Sequence, residues 1–255
     1  MSRGTKLRPS WILGLASLGA VIIVALRFSE VREMGRLAQS VRPAWLLIAV
    51  VLQAATYLAE GGIWRIVARA AGTRLPVSTA FQLSIAKLFV DQALPSAGVS
   101  GTVIVARALE QRGTSRPVVM AGVVLHTAGY YGAYVLSLSL SLLIISLRGQ
   151  LNPWVALISV GFGLFAVAIT ATVLALPGRA DAPGPRLSWV RPLRGMVTLV
   201  KRADPALARN VPLLLQAGAC HLAIVLLDSA TLWVLVGALG TSTPPEAVFA
   251  ACSVR

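Results

Sequence analysis

A series of long apolar runs fixes what this chain can become. They cover residues 11–26, 44–64, 117–147, 154–176 and 211–239. A helix needs about 20 predominantly apolar residues to cross the hydrocarbon of a bilayer. Within that medium every backbone N–H and C=O must be satisfied internally, which leaves only helices and closed barrels. No run alternates in the period-two manner of barrel strands. The fold class is therefore all-α polytopic membrane protein, with about five full transmembrane helices. Composition agrees, with 56% hydrophobic and 13% charged residues, against ~25% charged in soluble domains.

The formal net charge is +14. In a soluble protein such a balance points to nucleic acid. Here the basic residues lie between apolar runs, so topology and anionic lipid headgroups explain them, and no nucleic-acid partner is expected. The basic N-terminus before residues 11–26 resembles a signal peptide. It lacks a small-x-small cleavage site, and an uncleaved first helix with a cytoplasmic N-terminus is the reading adopted. Residues 27–42 repeat apolar positions every three or four residues, as a helix lying on the membrane surface does. Cys220 and Cys252 have no CxxC partner. With only two histidines, His126 and His221, a His-based metal centre is not expected, and no catalytic residue, metal ligand or cofactor is assigned.

One stretch departs from the pattern: "KLFVDQALPSAGVSGTVIVARALEQR", 87–112. The helical segments around its Pro-Ser-Ala-Gly break, 79–94 and 102–111, are roughly 24 and 15 Å long. Neither easily spans ~30 Å of hydrocarbon. Pro95 disfavours helix at Leu94, while Gly98 and Gly101 permit a turn. Charge supports threading this segment as a re-entrant broken helical hairpin over 77–111. If it enters and leaves on the cytoplasmic side, sixteen lysines and arginines lie inside and five outside. A single crossing gives seven inside and fourteen outside, against the positive-inside rule. The whole of 1–255 then reads as a single integral-membrane domain, with 177–210 a cytoplasmic basic loop rich in Pro, Gly and Arg.

Several residues of the hairpin are suited to chemistry. Ser84, Lys87 and Asp91 share a helix face, and the two ions, four apart, are placed to pair. The N-terminus of the second half-helix, near 100–102, offers N–H groups to an anion, for which a lipid phosphate is the natural candidate. Arg107 would guide a headgroup at the cytoplasmic end. In the last span Asp228 is a candidate for proton coupling or headgroup contact. The candidate lipid-binding set is Lys87, Asp91, Pro95, Gly98, Gly101, Thr102, Arg107 and Asp228. His221 reads as a packed or interfacial histidine. Glu60 reads as a structural residue near the cytoplasmic interface beside Arg65. His126, Tyr130, Tyr131 and Tyr134 form a polar-aromatic patch attributed to helix packing, with Ala128 and Gly132 as a small-xxx-small contact.

"EGGIWRIVARAAG", followed by "FQLSIAKLFVDQALPSAGVSGTVIVARALEQRG" and a long span, resembles the lysylphosphatidylglycerol synthase/flippase-like transmembrane family. Trp64-Arg65, Asp91, Leu94-Pro95, Gly98, Gly101 and Arg107 stand where that family carries an aromatic-Arg pair, a polar residue before "LP", a glycine-rich break and an Arg-containing helix. Asp91 replaces the Asn of many members. The resemblance runs from about Trp11 to Val248 and concerns the flippase-like domain, without the soluble aminoacyl transferase domain. It implies an inner-membrane protein that translocates or presents a phospholipid or lipid-linked headgroup. Alternatives are the membrane part of an aminoacyl or glycosyl transferase, and a non-catalytic scaffold. A second Pro/Gly-rich break is expected near the C-terminus and does not occur before "AVFAACSVR", so the C-terminal end reads as truncated.

Overall fold

The computed structural model describes residues 43–93, 99–149, 152–178, 197, 200–239 and 244–253. The expected first span at 11–26, the surface helix at 27–42, Pro95, Gly98 and most of the basic loop lie outside the described residues. Those described form eight helices and no strand: α1 (Pro43–Ala70), α2 (Val77–Ala93), α3 (Val99–Glu110), α4 (Arg116–Leu147), α5 (Pro153–Ala175), the short α6 (Pro205–Ala208), α7 (Val211–Ala238) and α8 (Pro245–Ser253). Among them α1, α4, α5 and α7 are long and apolar enough to cross a membrane.

Local chemistry sets the helix ends. Pro43 occupies the first position of α1, where its missing N–H has no helical partner to lose. Asn152, Asp204 and Asn210 cap α5, α6 and α7 by accepting backbone N–H bonds at their N-termini. Helices α1 and α3 both stop in a left-handed glycine. Gly72 (φ 74°) and Gly113 (φ 86°) let the chain turn back so that Thr73 N–H reaches Ala68 O and Thr114 N–H reaches Leu109 O, the Schellman closure. The Arg209 guanidinium donates to Leu174 O, Ala175 O and Pro177 O. It thereby satisfies the orphan carbonyls at the C-terminus of α5 and meets the negative end of that helix.

The core lies toward one end of the bundle. Ala68 near the end of α1, Leu75 ahead of α2, Leu109 near the end of α3 and Val119 near the start of α4 belong to one buried cluster, together with Ala203 and Ala208 ahead of α7. The start of α2 and the end of α3 are thus neighbours, and the two helices double back on one another. Small residues let the backbones approach: a Cβ on Gly61 would lie 3.0 Å from the Ala80 backbone of α2, and one on Gly129 would lie 3.0 Å from Ala217 of α7. Gly132 has open space around it, so the tight contact on α4 falls at Gly129, one turn earlier than the small-xxx-small spacing suggested. Outward faces are apolar, with Leu47, Val50, Leu157, Leu164 and Leu215 all exposed. That is the surface a protein presents when lipid rather than water is its solvent. The C-terminal α8 packs on α4 and α7, and its Glu246 pairs with Arg148.

Candidate functional site

The bundle holds a polar cluster inside it. Glu60 lies ten residues before the end of α1, Lys87 ten after the start of α2, His126 ten after the start of α4 and His221 ten after the start of α7. Because these four helix ends share one side, ten residues place each group about 15 Å in. That is about a third of the way along α1, α4 and α7.

The four groups meet there, with Asp91. Lys87 Nζ donates to Asp91 Oδ2 at 3.1 Å and lies 3.5 Å from Glu60 Oε1. His126 Nε2 is 2.9 Å from the same Glu60 oxygen. The other Asp91 oxygen, Oδ1, accepts the Gly101 N–H at 2.8 Å. A continuous polar chain therefore runs from α4 through α1 and α2 to the N-terminus of α3. Its aromatic wall is dense: Trp64 stacks on His126 with centroids 5.6 Å apart, and His221 meets His126 edge-on at 4.7 Å and Tyr130 at 5.7 Å. The ionic side chains are only 11–15% exposed. Burial at that level costs several kcal/mol per ion unless each ion is paired and hydrogen-bonded, and here each is. Counted by formal side-chain charge, two carboxylates and one ammonium leave the set with one negative charge in excess.

Gly101 fits nowhere but here. A Cβ at this position would lie 2.5 Å from Lys87 O and 2.6 Å from both Asp91 carboxylate oxygens. The half-helix α3 approaches α2 closely because nothing projects from residue 101. The anion received by the Gly101 N–H is the chain's own Asp91. A lipid phosphate, expected at this helix N-terminus, does not have that donor available.

The remaining predicted residues are distributed more widely. Thr102 is half-buried directly after Gly101, and Arg107 is exposed on α3, nearly two turns beyond it. Asp228 does not join the cluster. It accepts a hydrogen bond from Thr56 Oγ1 at 3.2 Å, two turns along α7 from His221 and one turn along α1 from Glu60. The two pairs make a polar seam between α1 and α7. Pro95 and Gly98 lie outside the described residues.

Sequence reasoning missed Glu60, His126 and His221 as members of the site. Ending the second span at residue 64 put Glu60 near the interface. The helix continues to Ala70, six residues or about 9 Å further, and Glu60 lies that much further from the helix end. Arg65, next to which the sequence reading places it, donates from Nε to Leu75 O at 3.1 Å. The spacing of Thr56, Glu60 and Trp64 at i, i+4 and i+8 was the available signal, since it puts all three on one face.

A family model described as the lysylphosphatidylglycerol synthase TM region matches residues 11–254. No curated protein and no solved structure matches the chain.

Proposed function

We propose, because the chain belongs to the lysylphosphatidylglycerol synthase TM-region family and so to a membrane-lipid-related function, that it is a flippase-like protein. It translocates or presents a phospholipid or lipid-linked headgroup across the cytoplasmic membrane. The observation that carries this reading is the buried ionic cluster of Glu60, Lys87, Asp91 and His126, about 15 Å in from one end of the bundle and tied to the N-terminus of a half-length helix. A bundle held together by packing alone has no need of ions at that depth, where each is expensive. On this reading α2 and α3 form a re-entrant hairpin, and Lys87, Asp91, the 95–102 break and Arg107 line the headgroup path, with Asp228 continuing it along α7. The excess negative charge suits the cationic part of a headgroup, such as an amine. Tyr130, half exposed beside His221, can receive the same cation on its ring face.

Scrambling of fluorescent phospholipids in liposomes tests this. Wild-type protein should accelerate exchange between leaflets, and Lys87→Ala or Asp91→Ala should reduce it at least tenfold. Undiminished exchange in both variants would remove these residues from the path.

The threading has its own test. In a background with Cys220 and Cys252 replaced by serine, Arg74→Cys and Gln111→Cys flank the hairpin at exposed positions. A membrane-impermeant maleimide should label both from the cytoplasmic face. Labelling from opposite faces rules out a hairpin that leaves where it enters.

A further inference from the structure

We infer that Glu60, His126 and His221 form a divalent metal site, of zinc-type preference, inside the bundle. The inference stands on donor geometry and is independent of lipid transport. One potential ligand atom from each of the three residues lies within 4.8 Å of the others, and they come from three different helices, α1, α4 and α7. A separate observation points to a ligand. His221 is 4% exposed, and its Nε2 is buried with no hydrogen-bond partner among the described residues. A buried imidazole nitrogen left unmatched is costly, and a metal ion removes that cost.

The chemistry of the donors selects the ion. Two imidazoles and one carboxylate form a borderline nitrogen–oxygen set that suits zinc and its first-row neighbours and is a poor match for magnesium or calcium, which take oxygen ligands. Two histidines and a glutamate also constitute the three-ligand zinc set that leaves one coordination position for water or an oxyanion. Donors in a tetrahedron with bonds of ~2.0–2.1 Å lie roughly 3.3 Å apart. His126 and Glu60 are already within that separation at 2.9 Å, so the His221 ring makes the larger adjustment.

Neighbouring charge permits the ion. Lys87 contacts Glu60 at 3.5 Å but is closer to Asp91, at 3.1 Å. Asp91 is in turn fixed by the Gly101 N–H. Lys87 can therefore yield Glu60 to a metal without losing its own counter-ion. With the ion bound, the set changes from one excess negative charge to one excess positive charge. Two histidines seem too few for a metal centre only when the third donor is overlooked, and Glu60 supplies it.

Purified full-length protein in detergent, stripped with chelator and titrated with Co²⁺, provides the test. Wild type should bind one Co²⁺ per chain, develop the intense visible band of low-coordinate cobalt and lose Trp64 emission, with Zn²⁺ displacing the cobalt. His221→Ala should weaken binding at least tenfold, and the double variant His126→Ala/His221→Ala should abolish it. Gly132→Ala, which keeps all three donors and meets no atom within 4 Å, should retain binding. Absence of a stoichiometric cobalt band in wild type overturns the site without reference to any variant. So does binding that survives the double variant.

Discussion

Gly101→Ala is expected to separate the two half-helices and leave a protein markedly less stable than wild type. The added methyl would sit 2.5 Å from Lys87 O and 2.6 Å from both Asp91 carboxylate oxygens, and two of the three obstacles belong to one buried side chain that is itself held in place. Overpacking of this kind costs about 1–3 kcal/mol. Moving α3 away to relieve it also breaks the Asp91–Gly101 hydrogen bond, made at 2.8 Å, and leaves a charged acceptor partly unmatched at a further 1–3 kcal/mol or so. Thermal unfolding in detergent, followed by loss of monodisperse protein, should show a large fall in the transition temperature. Gly132→Ala on α4, where no atom lies within 4 Å of the new Cβ, should change it little. Equal behaviour of the two variants would refute the close approach of α2 and α3.

Lys87→Met should be comparably damaging, for an electrostatic reason. Lys87 is the one ammonium between Glu60 and Asp91. Its removal leaves two carboxylates facing each other at low exposure. Breaking a buried ion pair by deleting one partner costs about 3–5 kcal/mol. Asp91→Asn in the same chain removes one of the stranded charges and keeps an oxygen for the Gly101 N–H. Asp91→Asn alone, which takes the charge from Lys87's partner, should destabilise, yet the double variant Lys87→Met/Asp91→Asn should be more stable than Lys87→Met alone, a sign reversal that independent sites cannot give. If the two changes add, the residues do not share a charge network.

Much of the architecture was legible because lipid is an exacting solvent. The long runs at 117–147, 154–176 and 211–239 agree with α4, α5 and α7 to within a residue or so at each end. In these spans hydropathy and the flanking Pro, Asn and Ser residues specify the same boundaries. The short segments 79–94 and 102–111 became α2 and α3 with slightly shifted ends, since a proline and glycines mark their break. The exception is the run 44–64, where the apolar residues give way to Arg65 and Arg69 while the helix continues to Ala70. An arginine in the last turns of a helix is compatible with its continuing, because its charge favours the C-terminal end and its long side chain reaches outward.

Sequence alone determined that this is a helical membrane protein, that the runs beginning at 44, 117, 154 and 211 are long and apolar enough to cross, and that Lys87 and Asp91 share a face. These follow from rules that act within about four residues or along one helix: hydropathy, turn chemistry and the 3.6-residue period. Only the tertiary structure decided that Glu60, His126 and His221, separated by up to 161 positions, meet Lys87 at one depth, that Asp91 occupies the N-terminus of α3, and that Asp228 pairs with Thr56. Which face of each helix turns inward depends on how the small residues Gly61, Gly122 and Gly129 let neighbouring backbones close on one another. That registration between helices is a property of their joint packing, and no single helix carries it in its own sequence.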